Sequence, residues 1–221
     1  MIAIVSMYNE AYKPLAEITI DQNISKYAEY HKYNFHCKKD EFSTEYIMYF
    51  EKPKLMLDAM VSNVEWVWWI DVDALVTNFH TKLESIIDDR YDIIISTDGG
   101  GINCGSFLVK NSPKGRAWLE MIYSNRMVTR YATDKWPEQL VIHDTARNYT
   151  DIMKIVPQKT FNSYYYKVYE GVVDGVIETD RLGNNGLWTP GDFVLHMPGL
   201  PNHLRIQYLK MFSELSVLKP E

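Results

Sequence analysis

Glu65-Trp-Val-Trp-Trp-Ile-Asp-Val-Asp-Ala-Leu-Val-Thr-Asn78 decides the fold, because a buried strand gives way to two carboxylates within it. Trp66 to Ile70 is an aromatic and β-branched run without a polar face, typical of a central strand in a covered parallel sheet. In an extended backbone, residues two apart point to the same side, so Asp71 and Asp73 are expected to lie together. Ligands of open α/β sheets bind where such strands end.

Two neighbouring carboxylates repel each other, and the dry end of a sheet screens that repulsion poorly. A divalent cation between Asp71 and Asp73 removes the conflict. Oxygen ligands suit Mg²⁺ or Mn²⁺, which usually complete their shell with waters and substrate phosphates. The motif therefore predicts a metal site and a phosphate ester ligand. The alternative is a strand-ending Asp-x-Asp that only forms a turn or caps the next element.

The composition favours one α/β domain: the chain has 221 residues, is 46% hydrophobic and contains no low-complexity stretch. Its net charge is -6 and its basic residues are scattered, which argues against a nucleic-acid groove or an anionic membrane surface as partner. Cys37 and Cys104 lack metal-type spacing and are expected to be buried free thiols. The start at Met1 shows no signal peptide and no later stretch reaches transmembrane length, so we expect a soluble, cytoplasmic protein.

The first strand is predicted at Ile2 to Met7, with a helix from Pro14 to about Lys32. In a βαβ unit the loop after the strand faces the ligand, so Ser6, Tyr8 and Asn9 are expected to hold a base or ribose, or else to be simple turn residues. The chain has no Gly-x-Gly-x-x-Gly or Walker motif, which argues against a dinucleotide enzyme or a P-loop NTPase.

A lysine-containing helix is predicted at Lys52 to Val61, after a second strand from Tyr33 to Lys38. Lys54 lies in its first turn, where the helix dipole disfavours a positive charge, so this lysine is expected to have an anionic partner. The alternative is a solvated surface lysine.

A glycine-rich segment, Thr97-Asp-Gly-Gly-Gly-Ile-Asn-Cys-Gly105, separates predicted strands at Asp92–Ser96 and Ser106–Val109. Three consecutive glycines indicate a flexible or closely approached backbone. With Asp98 and Asn103 they would form a polar floor or mobile wall for a hydroxyl-rich substrate. A plain β-turn explains them equally well.

The second half is otherwise predicted as short elements joined by loops. They are a helix at Leu83–Asp89, a helix at Ala117–Tyr123 after Ser112-Pro113, a loop at Met127–Lys135, a helix from Trp136 to about Arg147, a strand after Asp151, an unplaced segment Glu170–Asp180, a strand at Asp192–His196 and a helix from Leu204 to about Leu218.

Two groups in this half carry polar residues of interest. Asp134, Glu138 and Gln139 gather at a helix N-terminus, where the dipole favours carboxylates but does not account for the glutamine. His196 ends a strand as Asp71 does, and as a third ligand it would shift the site from Mg²⁺ toward Mn²⁺. A structural histidine is the alternative.

In order and spacing these motifs resemble the metal-dependent nucleotide-sugar glycosyltransferases of the GT-A fold, and most closely family 34. The resemblance covers nearly the whole chain. The motifs that carry it are the strand Ile2–Met7 with its Tyr8-Asn9 loop, the Lys54 helix, Trp68-Trp-Ile-Asp-Val-Asp73, Asn103-Cys-Gly-Ser-Phe-Leu-Val109, Trp136-Pro-Glu-Gln139 and Val194-Leu-His-Met-Pro-Gly199.

The resemblance implies a single GT-A domain over 1–221, a Rossmann-like α/β fold with a mostly parallel central sheet flanked by helices. Its nucleotide-binding half would span about 1–78 and its acceptor and catalytic half about 79–221. The family's membrane anchor and stem are missing from this sequence. Such a minimal soluble form is similar to those of large algal viruses or bacteria, which for a virus would place it in the host cytoplasm.

The resemblance also assigns the metal and donor site. Asp71 would contact the ribose or sugar and, with Asp73 and His196, would hold Mn²⁺ against the diphosphate of the donor. Gly199 and His203 would close over the phosphates, although similar enzymes carry a basic residue where this chain has Asn202 and His203. Further donor contacts would come from Ser6, Tyr8, Asn9, Lys54 and Asn103.

For the reaction, the resemblance implies hexose transfer from a nucleoside diphosphate sugar, expected to be a UDP-sugar, to a sugar hydroxyl of a glycan with retention. Glu138 and Gln139 correspond to an acidic residue and a glutamine that face the anomeric carbon. An inverting route would need a carboxylate base, for which Asp98 or Asp134 is available. The rival functions are an Asp-nucleophile phosphatase and a catalytically inactive sugar-nucleotide binding module.

Overall fold

A six-stranded sheet forms the centre of the computed structural model, which describes residues 1–42, 47–165 and 179–215. The strands follow the order β2-β1-β3-β6-β5-β7, and all run parallel except β6. The prediction of a mostly parallel α/β sheet is therefore confirmed. The strands are β1 (Ile2–Tyr8), β2 (Asn34–Lys39), β3 (Trp66–Ile70), β5 (Ile93–Thr97), β6 (Ile102–Lys110) and β7 (Met153–Val156); β4 (Ala74–Val76) and β8 (Val194–His196) form a separate antiparallel pair.

Helices cover the sheet on both sides. They are α1 (Lys13–Ala16), a π-helical segment (Glu17–Ile24) that continues into α2 (Ser25–His31), α3 (Glu51–Ala59), α4 (Pro113–Ile122), α5 (Asn125–Tyr131), α6 (Pro137–Thr145) and α7 (Asn202–Leu215). Short 3-10 helices lie at Glu10–Tyr12, Met48–Phe50, Leu83–Ser85, Ala146–Asn148 and Gln158–Thr160. Among the described helices none is long and apolar enough to cross a membrane.

Strand β3 lies at the middle of the sheet and has the bounds that the sequence predicted. Its five residues are buried, and they alternate between two cores as the period of a strand requires. Trp68 packs with the π-helical segment and α2 on one face, and Trp69 packs with α3, α4 and α6 on the other. Because both faces are covered by apolar side chains, the first polar residues after β3 lie at the carboxyl end of this strand.

Several predicted boundaries were wrong. The glycine-rich segment is shorter than predicted, because Ile102–Gly105 already belong to β6, where Ile102 and Cys104 reach the core. What remains is a tight turn in which Asp98 and Gly101 exchange backbone hydrogen bonds, and Gly101 has a φ of 132°. The predicted loop at Met127–Lys135 largely belongs to α5, because Val128 and Tyr131, three residues apart, pack into the core.

The outcomes for the other predicted elements differ. The helix predicted at Leu83–Asp89 is reduced to a single 3-10 turn at Leu83–Ser85. The unplaced segment Glu170–Asp180 lies outside the described residues up to residue 178. The remaining predicted strands and helices are present, with ends that differ by a few residues.

The short strand β4 was not predicted, although it directly follows the two aspartates. It pairs with β8 so that Ala74 lies opposite His196. On its other side Asn23 replaces a neighbouring strand: its side-chain amide donates to the Val76 carbonyl (2.9 Å), and its side-chain oxygen accepts the Val76 N–H (2.8 Å). Thr19 donates to the carbonyl of Val72 at 2.6 Å. The π-helical segment therefore holds the Asp71–Asp73 turn in place, in keeping with the frequent occurrence of π-helical turns at functional sites.

We expect Asn23→Leu to lower the free energy of unfolding by about 2–4 kcal/mol, because it leaves two buried backbone groups of Val76 without partners. Urea unfolding followed by circular dichroism measures the change. Asn63→Leu is the matched control, because Asn63 is exposed, and should change stability by less than about 0.5 kcal/mol. Equal effects of the two substitutions would show that Val76 does not depend on Asn23.

Candidate functional site

Asp71, Asp73 and His196 come together at the carboxyl end of β3. Each offers one ligand atom, and these atoms lie within 4.8 Å of one another. Asp71 and Asp73 flank the turn between β3 and β4, while His196 ends β8 and is brought across by the pairing of β4 with β8. The sequence prediction that these three side chains meet is thus matched by their geometry.

The donor set fits a divalent cation. His196 is buried, and its Nδ1 lies 2.5 Å from the side-chain oxygen of Asn162, so the imidazole proton belongs on Nδ1. This tautomer leaves Nε2, 3.2 Å from Asp73 Oδ1, as the atom that faces the carboxylates. Gly105 makes room for the ring, since a Cβ at that position would lie 2.2 Å from His196 Cε1. Two carboxylates and an oriented imidazole suit Mn²⁺ or Mg²⁺.

Arg205 is a site residue that the sequence reasoning missed. It reaches back from α7, and its guanidinium lies 3.0 Å from Asp73 Oδ2 while also donating to the Met197 carbonyl and to Asn202. Burial acts to raise the pKa of Asp73, but His196, in its doubly protonated form without a bound cation, and Arg205 outweigh burial and hold that pKa below its usual value. Asp73 therefore stays ionised, as a metal ligand must. Arg205 follows Asn202 by three residues, which places both on one face of α7. That helical spacing was the signal in the sequence that could have indicated Arg205.

Lys52 forms the second charged centre of the site. Its ammonium is buried and lies 3.2 Å from both Asp71 Oδ1 and Glu138 Oε1, 3.0 Å from the Cys104 carbonyl, and over the Trp69 ring. Burial by itself would lower the pKa of Lys52, but the surrounding negative groups, Asp71 foremost, raise it well above its usual value. Lys52 is therefore a permanent cation that joins the turn after β3 to helix α6.

Lys52, two residues before Lys54, has anionic partners of the kind that the sequence analysis considered for Lys54. Lys54 is half-buried and forms no ion pair with any described carboxylate. Lys52 precedes Pro53 at the start of α3, and from there its side chain extends toward the sheet end rather than toward solvent.

Glu138 and Gln139 lie in the first turn of α6, where Lys52 links Glu138 to Asp71. Glu138 is buried, and its Oε2 has no hydrogen-bond partner in the described structure. Gln139 accepts the backbone N–H of Cys104 at 3.2 Å. Burial raises the pKa of the Cys104 thiol well above its usual value, so a neutral thiol lies between Lys52 and the pair. Cys104 is a buried free thiol, and Cys37 is free and half-buried.

Asp98 and Asn103 form one hydrogen-bonded cluster with Tyr164. Asp98 accepts bonds from the Gly100 and Gly101 N–H groups, from Asn103 (3.0 Å) and from the Tyr164 hydroxyl (2.7 Å). Asn103 also accepts the Gly105 N–H at 2.8 Å. With these bonds Asp98 shapes the turn, which agrees with the plain-turn alternative and leaves it poorly placed to act as a base.

The predicted nucleotide contacts at the end of β1 differ in their surroundings. Ser6 is fully buried and donates to the Ile70 carbonyl at 2.7 Å, so its hydroxyl joins β1 to β3 rather than facing a ligand. Tyr8 is buried beneath Lys39, whose ammonium lies 5.5 Å from the ring centre. Asn9 keeps a buried side-chain oxygen without a partner among the described residues, which leaves it available to a donor group.

The remaining predicted residues are exposed. Asp134, Gly199 and His203 lie in the loop before α6, between β8 and α7, and in the first turn of α7. Gly199 has a φ of 77°, a conformation that favours glycine, and space for a side chain is open beside it. None of the three forms an ion pair or a side-chain hydrogen bond within residues 1–42, 47–165 and 179–215, so any role they have depends on a ligand.

The sequence profile of the galactosyl transferase GMA12/MNN10 family, glycosyltransferase family 34, matches residues 1–91 and 88–203. The chain belongs to this family. The matched ranges include Asp71, Asp73 and His196.

Curated relatives support this membership. The chain is 27% identical over 202 residues to an alpha-1,2-galactosyltransferase of Schizosaccharomyces pombe, covering 71% of this chain and 53% of the relative. It is 27% identical over 148 residues to the probable alpha-1,6-mannosyltransferase MNN10 of Saccharomyces cerevisiae, covering 51% of this chain and 37% of the relative. The chain therefore spans about half the length of the first of these relatives.

Solved structures show the same fold. A glycosyltransferase involved in the glycosylation of the major capsid of PBCV-1 superposes with a TM-score of 0.73 at 19% identity, covering 95% of this chain and 98% of the other. The galactosyltransferase LgtC, solved with donor and acceptor sugar analogs, gives a TM-score of 0.61 at 13% identity and coverages of 99% and 98%. The fold of this chain is the GT-A fold.

We expect Lys52→Met to lower the free energy of unfolding by about 3–5 kcal/mol, because removing one partner leaves the buried charge of Glu138 uncompensated. Lys54→Met, two residues away in the same helix, is the control and should cost less than about 0.5 kcal/mol. Urea denaturation compares the two variants. Adding Glu138→Gln to Lys52→Met should recover part of the loss, and losses that simply add would contradict the proposed coupling.

Proposed function

We propose that this protein is a metal-dependent glycosyltransferase that moves a hexose from a nucleoside diphosphate sugar to a sugar hydroxyl of a glycan. The observation that carries the proposal is the convergence of Asp71, Asp73 and oriented His196 within 4.8 Å at the end of the central strand of a family 34 chain. The names of the relatives favour galactose or mannose as the hexose. UDP is the donor nucleotide we expect.

The metal we propose is Mn²⁺, with Mg²⁺ as the alternative. Mg²⁺ prefers a shell made only of oxygen ligands, so an imidazole beside two carboxylates favours Mn²⁺ over Mg²⁺. When bound, the cation supplies Lewis-acid stabilisation of the charge that develops on the leaving diphosphate. Arg205, 3.0 Å from Asp73, adds a fixed positive charge on the same side.

The donor is held between the two proposed halves of the domain, about 1–78 and 79–221. From the first half, Tyr8 and Asn9 would contact the nucleoside and Asp71 the ribose or sugar. From the second half, Asn103 would contact the sugar, and Gly199 and His203 would lie along the diphosphate. The exposure of Gly199 and His203 at the start of α7 supports such contacts.

We propose retention on the basis of the family 34 resemblance, and the pair at the start of α6 bears on the route. Gln139 is a poor nucleophile, and Glu138 is tied to Lys52 at 3.2 Å, so neither is suited to form a stable covalent intermediate. We propose that the acceptor hydroxyl attacks the anomeric carbon on the face from which the diphosphate leaves. The departing phosphate oxygen takes the hydroxyl proton. Asp98 is engaged in its turn, and Asp134 is the remaining candidate base for an inverting route.

The two rival functions are less well supported. An Asp-nucleophile phosphatase carries its Asp-x-Asp on the first strand, whereas here it follows β3, the third strand along the chain. An inactive binding module is disfavoured because the metal cluster and the Glu138-Gln139 pair are all present. Turnover separates the module from the enzyme, since a module binds the nucleotide but releases no nucleoside diphosphate.

The decisive experiment measures nucleoside diphosphate release from a panel of UDP- and GDP-sugars with Mn²⁺, Mg²⁺ or EDTA. We expect slow hydrolysis of one donor with Mn²⁺. Asp73→Ala should reduce it about a hundredfold or more, because it removes a metal ligand. Asp151→Ala, at an exposed surface aspartate, is the control. Near-normal activity of Asp73→Ala with unchanged metal dependence would remove the central claim.

Gln139→Ala tests the reaction side of the site. We expect kcat to fall more than the KM for the donor rises, because the residue is placed to act on the transition state rather than on donor binding. Steady-state kinetics with the identified donor measure both constants, and Gln207→Ala on the exposed side of α7 is the control. A rise in donor KM alone would make Gln139 a binding contact.

A further inference from the structure

Trp136 is unusual among the six tryptophans of the chain. Four of the others are at most 3% exposed and Trp188 is half-buried, whereas Trp136 is 48% exposed. An exposed indole leaves a large apolar surface in water, which costs free energy that covering the ring would recover. Lys135 covers part of it, with its ammonium 4.2 Å from the ring centre.

The backbone also holds Trp136 in an unfavourable conformation. Its φ and ψ are 59° and 58°, in the left-handed region that bulky residues rarely adopt, and Pro137 follows it. Such strain persists only where the surroundings impose it, and it concentrates at functional sites. Here the next residues are fixed: Glu138 is anchored on Lys52, and Gln139 on Cys104. The strained residue therefore sets the direction of the indole relative to the Glu138-Gln139 pair.

A second exposed aromatic ring belongs to an element that packs against α6, the helix that Trp136 directly precedes. Tyr49 is 44% exposed and belongs to the 3-10 helix Met48–Phe50, which packs against α6 and leads into α3. Partial burial, followed by the negative charge of Glu138, raises the pKa of Tyr49. Two exposed aromatic side chains thus lie on segments that meet at α6, the helix that carries Glu138.

We infer that Trp136 and Tyr49 form a stacking platform for the acceptor glycan. The inference rests on the proposed function and deepens it by naming what holds the acceptor. The C–H faces of pyranose rings are apolar and stack on aromatic rings, while their hydroxyls remain free at the edge. A sugar stacked on a platform next to Glu138 and Gln139 presents a hydroxyl toward the reacting carbon.

The test uses four saccharides as probes: methyl α-mannopyranoside, α-mannobiose, lactose and cellotriose. Nucleoside diphosphate release from the donor that the protein hydrolyses is measured against the concentration of each. We expect at least one probe to accelerate release, and Trp136→Leu to raise the KM for that probe about tenfold while the donor KM changes by less than about twofold. Trp136→Tyr, which keeps a ring, should restore most of the affinity. Tyr30→Ala, at an aromatic residue of α2 that is 45% exposed, is the control and should match the wild type.

A binding measurement makes the result independent of turnover. The same probes should shield Trp136 from acrylamide quenching, read as the difference in fluorescence between the wild type and Trp136→Tyr. Shielding without any donor cleavage would contradict the proposed function but keep the platform. Donor cleavage without acceleration or shielding by any probe would overturn the platform and keep the function. The inference is also overturned if Trp136→Leu changes the probe KM no more than Tyr30→Ala does. The same holds if the Trp136→Leu protein binds the probe as well as the Trp136→Tyr protein does.

Discussion

The placement of one buried and one half-buried carboxylate, Asp73 and Asp71, at the end of the central strand is the constraint on which the rest of the site depends. Removing a charge from water is costly unless opposite charges and hydrogen bonds replace the lost hydration. The chain answers with groups from three distant segments: Lys52 from α3 lies against Asp71, and His196 from β8 and Arg205 from α7 lie against Asp73. Helix α3, strand β8 and helix α7 must therefore pack around the end of β3 for the carboxylates to be stable there.

The two carboxylates serve different sides of the site. Asp73 is linked to the C-terminal segment, whose strand β8 is aligned with β4 and whose helix α7 delivers Arg205. Asp71 is linked through Lys52 to Glu138 and hence to α6. In the proposed reaction the first link lies on the side of the leaving diphosphate, and the second runs from Asp71, a donor contact, to the Glu138-Gln139 pair that faces the reacting carbon. In that proposal Lys52 connects the donor side electrostatically to the acceptor side.

Hydrogen bonds from neighbouring segments fix the positions of these groups. The turn that carries both aspartates is fixed on one side by Thr19 and Asn23 of the π-helical segment and on the other by pairing with β8. Since Asn23 satisfies both backbone groups of Val76, β4 needs no further strand beside it. Because hydrogen bonds to its backbone hold this turn in place, the carboxylate oxygens of Asp71 and Asp73 remain available to charged partners.

The sequence by itself determined the central strand, the arrival of His196 at a strand end and the mostly parallel sheet from local patterns. It also predicted that the two aspartates lie close together, although a turn from Asp71 to Ala74, and not the extended backbone assumed for them, brings them there. Only the tertiary structure decided that Lys52 rather than Lys54 is the buried cation, that Arg205 supplies the second positive charge, that Ser6 and Asp98 bond within the scaffold, and that Val128 and Tyr131 draw a predicted loop into a helix. The physical reason is that a local pattern fixes the direction in which a side chain points. Which charge it meets is set by segments tens to more than a hundred residues away, packed to satisfy buried groups that the local sequence cannot reveal.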